Sequence, residues 1–538
     1  MRPSRGSIVF FLLRAALAMA LACLLTPAAH AALPKDEVLE REGAVIGTIT
    51  FKLQNIFATD TPEENKALFR LANQLHIQTK QSTIEQQLLF RTGDKFSRKK
   101  MEESERLLRS RRYLYFVQIR ATDYREGLVD IEVSTRDVWS QSPTLNIGRR
   151  GGVNSGSVGI EDLNVLGFGK QLTASAKSEV DRRTVALAYT DPQLMGSWWA
   201  LGASFANSND GHTGSLIIEQ PFYALDTPWA GGVRLRDEKR VDPIYSLGVE
   251  VERFAVSQRA ATAYMGWSLG HRLNWVQRVS TGFTFAEDKV QKLPAASVGS
   301  SRLAYPWVST QIVQDDFQKL ENFNQIGRTE DINLGWQASA QLGLATKATG
   351  SDRNATLVTG VLTHGGKLSE AAIFIVDAAI TGQLDRSREN TALASVGGKY
   401  YLRQSPARLL FISLRADAST HTGLTLGGDN GLRGYPQRYQ SGSGRWLFSA
   451  EQRLFTDWYP WRLFHVGGAA FFDMGSTTGK TQFAGTARGV LADAGVGLRL
   501  GNSRAGFGNV VHIDLAFPVR PRDGISKVQF VVETKRSF

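Results

Sequence analysis

The chain has 538 residues, 42% hydrophobic and 21% charged, with 52 glycines, 16 prolines and a formal net charge of +12. That length allows two or three domains, and the composition excludes disordered and collagen-like classes. One cysteine, Cys23, excludes a disulfide framework and cysteine-based metal sites; beyond the N-terminus no stretch approaches the roughly 18 apolar residues of a membrane-spanning helix.

Residues 1–31 read as a secretory signal peptide. Arg2 and Arg5 precede an apolar run from Ile8 to Leu25, and Ala29-His30-Ala31 supplies the small-x-small cleavage site. Cleavage after Ala31 removes three arginines and no acid, so the mature charge is 12 − 3 = +9. The mature chain has no cysteine, which suits an oxidising periplasm or outer membrane. A short linker, 32–44, follows.

Residues 45–138 mix helices with strands. Ile49, Phe51 and Leu53 alternate with polar residues as in a half-buried strand. Thr61-Pro62-Glu63-Glu64 offers an N-cap, a first-turn proline and a capping-box glutamate, with Leu68, Leu71, Ala72 and Leu75 following at helical spacing. A second helical stretch begins near Thr83, with Leu88 and Leu89 facing inward. Ser97 caps a third that presents Met101, Leu107 and Leu108. Two alternating strands, around Val117–Ala121 and Val129–Val133, close the unit through a turn at Glu126-Gly127.

This β-α-α-β-β unit, with Thr92-Gly93-Asp94-Lys95-Phe96-Ser97 and Tyr113-Leu114-Tyr115-Phe116, resembles a POTRA (polypeptide-transport-associated) domain. In such domains an exposed strand edge takes up an extended client by β-augmentation; the other reading is a structural spacer. Between Arg91 and Arg112 nine basic residues face four acids. They read as a solvated helix face, or as a contact for anionic lipid head groups or an acidic partner. Nucleic acid is not an expected partner of an exported chain.

From residue 139 to 538 helical periodicity nearly vanishes. Alternating segments of about 9 to 14 residues recur, apolar on one face and polar or glycine-rich on the other. Val511, Ile513, Leu515 and Phe517 against His512, Asp514 and Ala516 is one example. A transmembrane antiparallel β-barrel needs this pattern, because lipid meets one side and a wet lumen the other. Trp198, Trp199, Trp229, Trp267, Trp458 and Trp461 lie near segment ends, where aromatic girdles are expected. The segment count is about twenty. The fold class is therefore mainly β, a barrel preceded by one small α+β domain.

The stretch Leu424–Pro436 surrounds Arg433 with glycines, including Gly427, Gly428, Gly431 and Gly434. Period-two geometry then aims Glu451 and Asp473 inward from two neighbouring strands, with Trp446, Phe448 and Phe472 outward. If the loop folds inward, a guanidinium bridging two confined carboxylates makes directional, charge-assisted bonds. Arg433→Ala is then expected to do more harm than Arg438→Ala nearby.

Gly427 to Tyr435, through Leu432, Arg433 and Gly434, resembles the "GG-x-x-x-(V/I/L)RG(F/Y)" loop of the bacterial surface antigen barrels, the outer-membrane assembly factors and two-partner secretion transporters. Phe471 to Gly475 is similar to their "F-x-D-x-G" strand, and Glu161–Lys170 to their "x-x-N-x-x-G-x-G" segment. Val528, Phe530, Val532 and Thr534 on one face, with the terminal Phe538, look like the sorting signal of outer-membrane barrels; Arg536 departs from it. The resemblance implies sixteen strands, a figure preferred over the segment count, and a lumen-inserted loop anchored by Arg433 to Glu451 and Asp473. It also implies outer-membrane lipid and unfolded client polypeptides as partners, with periplasmic or lipoprotein accessory factors.

No catalytic constellation assembles: there is no G-x-S-x-G elbow, H-E-x-x-H pair or Walker loop. No enzyme activity, cofactor or metal is expected. His76, His465 and His512 read as structural or solvated, and Asp493 and Asp514 as ordinary lumen acids. The function classes left are an assembly or translocation barrel, with its N-terminal domain in the periplasm, and a passive channel, structural or lipid-handling barrel of the same fold. No plug helix is expected before Val45.

Overall fold

The computed structural model describes residues 33–150, 152–246, 249–293, 298–385, 390–420, 423–480, 489–502, 504, 510–519 and 525–535. The signal peptide, Arg536 and Phe538 lie outside the described residues. The chain divides into two compact units: residues up to Phe51, Leu89–Glu102 and Ile119–Val133 form one, and Lys52–Leu88, Glu103–Gln118 and Ser134 onward form the other.

The N-terminal region carries a three-stranded sheet ordered β1-β3-β2, with β1 (Val45–Gln54), β2 (Leu114–Arg125) and β3 (Leu128–Asp137). Glu126 and Gly127, both at positive φ, make the tight turn between β2 and β3. The segment 32–44 contains a helix, α1 (Asp36–Glu42), whose Leu39 is fully buried and whose Glu37 and Glu40 accept from Arg98 of the same unit. Three helices separate β1 from β2, matching the three helical stretches: α2 (Ala67–Leu75), the single turn α3 (Gln81–Glu85), and α4 (Arg98–Arg109), which starts after Ser97 as expected.

Helix α2 departs from its expected start and facing. It begins at Ala67 behind Lys66, while Thr61–Glu64 is a turn whose Glu64 accepts from the Ala58 N–H at 2.7 Å. Leu68, Leu71 and Leu75 are exposed, and Phe69 is the buried residue, stacked on Phe57 at 4.1 Å. The Asn73 side chain fixes that rotation by bonding the Phe57 N–H and C=O at 3.1 and 2.8 Å. Side-chain bonding to backbone outcompetes the leucine stripe.

Twenty strands close into an antiparallel barrel. The first six are short, 8–10 residues: β4 (Gln141–Arg150), β5 (Val153–Asp162), β6 (Gln171–Ser178), β7 (Arg183–Asp191), β8 (Ala200–Ser208) and β9 (Gly211–Gln220). Four long ones of 17–24 residues follow: β10 (Trp229–Ser246), β11 (Val249–Arg272), β12 (Trp275–Leu293) and β13 (Val298–Gln314). A hairpin outside the ring, β14 (Phe317–Glu321) with β15 (Thr329–Asn333), comes next. The ring resumes through β16 (Gln337–Ala345), β17 (Ala355–Ser369), β18 (Ala372–Asp385), β19 (Thr391–Ser405) and β20 (Arg408–Ser419). After a second small hairpin, β21 (Leu424–Leu426) with β22 (Gln440–Gly442), it ends with β23 (Gly444–Phe455), β24 (Phe464–Thr478), β25 (Leu491–Asn502), β26 (Val510–Pro518) and β27 (Gln529–Lys535).

The sixteen strands implied by the resemblance are corrected to twenty. All twenty ring strands, from the seven-residue β27 to the 24-residue β11, pair on both sides, so the segment count was the better guide. Closure is slender: among the described residues β27 and β4 register at Val532 opposite Arg149, whereas β26 and β27 register from Val510↔Lys535 to Ala516↔Gln529.

Alternation sets the two faces. Val158, Ile160, Val185, Phe205, Val308, Val396 and Val496 stand outward and exposed, an exterior that would be unfavourable in water and suits hydrocarbon. The chain enters at one rim, here the near rim, where β4 begins. The six tryptophans all lie there or in its turns, including exposed Trp458 and Trp461.

Candidate functional site: a loop held inside the barrel

The connection between β20 and β23 leaves the far rim and turns back into the lumen. Its glycines permit this locally. Gly431 sits at φ +124°, and a Cβ there would meet the Leu447 side chain. At Gly427 a Cβ would meet the Pro436 carbonyl. The turn is self-bonded: the Gly427 N–H donates to Asn430 Oδ1 at 2.7 Å and the Gly428 N–H to the Pro436 carbonyl at 3.0 Å. Leu432 and Tyr435 are buried with Leu426, Tyr439, Leu491 and Ile525, giving the loop a small core of its own.

Arg433 projects from this core into the strand wall. Its Nε and Nη2 donate to the two oxygens of Asp473 at 2.7 and 3.1 Å, a bidentate pair. Its Nη1 reaches Glu451 Oε2 at 3.2 Å and Asp514 Oδ2 at 3.3 Å, and the guanidinium lies 3.3 Å from the Phe471 ring centre. The cross-strand register explains the convergence. Glu451 sits opposite Phe471 and Ser449 opposite Asp473, so one pleated face of β23 and β24 carries all four, and Ser449 Oγ donates to Asp473 at 2.5 Å.

The next residues continue the clasp. The Gly434 N–H donates to Asp493 Oδ2 at 3.0 Å, and a Cβ on Gly434 would approach the Asp493 Cβ at 2.7 Å. Tyr435 donates its hydroxyl to the Ala492 carbonyl at 3.1 Å. Gly475 packs where a Cβ would meet the Trp446 carbonyl. The surrounding charges include Arg453, which donates to Glu451 at 3.0 Å, and Arg499, which donates to Asp514 at 2.5 Å and Glu451 at 3.3 Å. A cavity of about 330 Å³ remains between loop and wall, lined in part by Arg433, Glu451, Asp473 and Lys535.

The structure thus brings Arg433, Glu451, Asp473 and Phe471 together with the glycine loop. Phe530 stands apart, outward and exposed on β27, and Val532 lies at the closing pair. Four residues of the cluster went unrecognised. Asp493 and Asp514, read as ordinary lumen acids, contact the loop directly, and Arg453 and Arg499 pair with Glu451 and Asp514. Their inward parity was readable; their approach to Arg433 needs a register between strands distant in sequence.

Arg438 is also an anchor. It pairs with Asp181 in the β6–β7 turn at 2.8 and 3.2 Å and lies 4.5 Å from the Tyr245 ring centre, at a positive φ of 51°. Burial acts to raise the Asp181 pKa, but the hydrogen bonds from Arg438 and Tyr245, with the Arg438 and Arg182 charges, outweigh it and hold it below the usual 3.8.

The glycine segment after β5 has its own role. Asn164 donates to Thr79 Oγ1 at 2.8 Å and accepts from the Gly169 N–H at 2.6 Å, while Thr83 Oγ1 donates to the Gly167 carbonyl at 2.8 Å. Gly169, at φ +68°, leaves a Cβ only 2.8 Å from the Tyr113 hydroxyl. The His76 ring, at the end of α2, and Thr79 both pair with Asp137.

No protein-family model matches the chain, and no curated protein matches it. Solved structures are similar to it at low identity. BamA from Haemophilus ducreyi, crystallised without POTRA domains 1–3, matches at 14% identity over 92% of this chain and 85% of its own, with a TM-score of 0.40. CdiB from Escherichia coli matches at 13% identity over 92% and 77%, TM-score 0.49. CdiB from Acinetobacter baumannii matches at 12% over 92% and 73%, TM-score 0.43.

Proposed function

We propose that this chain is an outer-membrane barrel that takes unfolded client polypeptides through its N-terminal, POTRA-like region and inserts or exports them without nucleotide. The observation that carries the reading is the far-rim loop drawn into the lumen and clasped by Arg433 to Asp473, Glu451 and Asp514. Several buried charges fixed around one glycine loop hold a specific conformation rather than add stability, since a buried ion network only about balances its desolvation cost. A filled, clasped lumen suits regulated passage better than passive diffusion.

On this reading the near rim faces the periplasm and Arg433 locks the loop. The exposed Leu68, Leu71 and Leu75 of α2 and the sheet-edge strands β1 and β2 supply apolar and backbone surfaces for an extended client. The slender β27–β4 seam is the place where a client strand would be added. Energy comes from the client, whose burial of apolar surface releases about 25 cal/mol per Å². The role is non-enzymatic.

The test is depletion in the host with quantification of the outer-membrane and secreted proteomes. Loss of a defined set of barrels or exported proteins, at unchanged transcript levels, is expected and would name the clients. An unchanged proteome would rule this reading out in favour of a channel or lipid-handling barrel.

A further inference from the structure

The near-rim connection between β13 and β16 is not a short turn. It carries the β14–β15 hairpin, whose Phe323 and Ile326, with Leu334, are buried against Ile373, Tyr401, Leu409 and Phe455 of the barrel wall. Those wall residues belong to β18, β19, β20 and β23 and face the lumen near the rim. The hairpin therefore lies in the near-rim end of the lumen against that arc of the wall, at the end opposite the Arg433 loop.

The way the wall holds it is informative. Arg453 Nη1 donates to the Phe323 carbonyl at 2.8 Å, and Arg403 Nη2 donates to the carbonyls of Glu321 and Asn322 at 2.7 and 2.9 Å. These arginines contact main-chain oxygens, which every polypeptide presents, and the remaining wall contacts are largely apolar. The hairpin meets its own tip requirements: Glu330 accepts from the N–H groups of Phe323, Asn324 and Gln325, and Asn322 from that of Gly327. It is a self-folded unit that the barrel wall holds mainly through main-chain and apolar contacts, with one side-chain bond from the Tyr401 hydroxyl to Asn324 at 3.3 Å, the chemistry expected of a site that reads backbone and apolar side chains more than a fixed sequence.

Both ends of the hairpin's environment are wired. Arg453, which grips Phe323, also donates to Glu451 Oε1 at 3.0 Å, and Glu451 Oε2 accepts from Arg433. One carboxylate thus touches the far-rim clasp and, through Arg453, the near-rim hairpin. On the other side Asp331 accepts both Nε and Nη2 of Arg109 at 2.7 and 2.8 Å, and Lys319 donates to Glu105 at 2.6 Å. Arg109 and Glu105 are on α4.

We propose that the lumen cradle around Tyr401, Leu409, Phe455, Arg403 and Arg453 is a polypeptide-binding site for an apolar hairpin or turn segment, occupied here in cis by residues 315–335. An incoming segment displaces the hairpin, and Arg453 and Glu451 report its departure to the Arg433 loop. The displacement by a client rests on the client-handling reading above; the cradle itself does not.

The test uses the full mature chain in planar bilayers. Phe323→Ala with Ile326→Ala removes two buried apolar anchors and is expected to raise open-channel time about tenfold or more. A synthetic peptide of residues 315–335 should then block that variant, and a peptide with Phe323 and Ile326 replaced by serine should not. For the locked state, a Cβ built at Gly501 stands 3.1 Å from the Ile326 Cβ, a few tenths of an ångström short of disulfide spacing and closed by a small shift of the hairpin, and no other cysteine follows Cys23. Oxidised Ile326→Cys/Gly501→Cys should stay closed and peptide-insensitive, and reductant should reverse both. Unchanged opening in the alanine pair, with no peptide block and no effect of oxidation in a cross-linked barrel, would overturn the cradle. Peptide block with an unchanged proteome on depletion would keep the cradle and remove the client reading; client loss without peptide block would do the reverse.

Discussion

Arg433 is surrounded by Asp473, Glu451 and Asp514, so removing it strips the buried Asp473 of its bidentate partner and takes one cation from Glu451 and Asp514, which keep Arg453 and Arg499. Breaking such a network costs about 3–5 kcal/mol. Arg433→Ala should lower barrel stability by up to that order in urea or thermal unfolding, chiefly through the unpaired Asp473, and Arg433→Lys should rescue it only in part, because an ammonium cannot make the bidentate pair. Arg438→Ala should fall short of this but not be silent, since it releases the half-buried Asp181; exposed Arg259→Ala is the neutral comparison. The Asp181 pKa is depressed on folding, so the Arg438 contribution is present above the ordinary aspartate range and lost as pH falls through the folded value. The stability gap between wild type and Arg438→Ala should therefore close only in acid. An unchanged gap at all pH values would separate Arg438 from Asp181. At this scale the sequence was most legible where parity alone decides: Glu451 and Asp473 face inward because Trp446, Phe448 and Phe472 face out. It was least legible for Asp493 and Asp514, whose partner lies about 60 and 80 residues away and whose register no local pattern encodes.

Among the elements, the β20–β23 loop stands on close backbone approach. A methyl at Gly434 would press on Asp493 Cβ and the Pro518 backbone, an overpacking cost of about 1–3 kcal/mol. Gly434→Ala should destabilise the barrel by that amount and raise protease sensitivity within 424–442, whereas Gly398→Ala, with open space at its Cβ, should do neither. Equal digestion of the two variants would show that the loop does not depend on this fit. The loop was readable as an element because glycine density marks it. The β14–β15 hairpin was not, since a short alternating stretch looks the same whether it pairs in the wall or folds inside. Helix α2 shows the opposite failure: its leucine spacing is genuine, yet Asn73 and Phe69 determine which side meets the protein.

For the whole molecule, the ring of twenty strands is, among the described residues, most thinly paired at β27–β4. Residues directly opposite in an antiparallel ladder have Cα atoms about 4.5–5.5 Å apart, within disulfide reach. Arg149→Cys with Val532→Cys should therefore cross-link under oxidation. If client strands enter there, oxidation should stop client assembly in the host and reductant should restore it, with barrel folding unchanged. Assembly that continues in a fully cross-linked population would remove the seam from the mechanism. Barrel class was legible from alternation sustained over about 400 residues, and the strand number from counting segments; the family likeness gave the smaller, wrong figure. Closure was not legible, because the first and last strands meet nearly 400 residues apart.

Glu451 stands between two inserted pieces of chain, one oxygen serving Arg433 and the other serving Arg453, which holds Phe323. Its inheritance is accordingly entangled. A change at Glu451 alters two contexts at once, so compensating changes have two places to arise, the glycine loop and the hairpin more than a hundred residues upstream. The three segments are then bound to drift as one unit across descendants of this chain, while the outward faces of the same strands, which touch neither inserted piece, are free to vary one residue at a time.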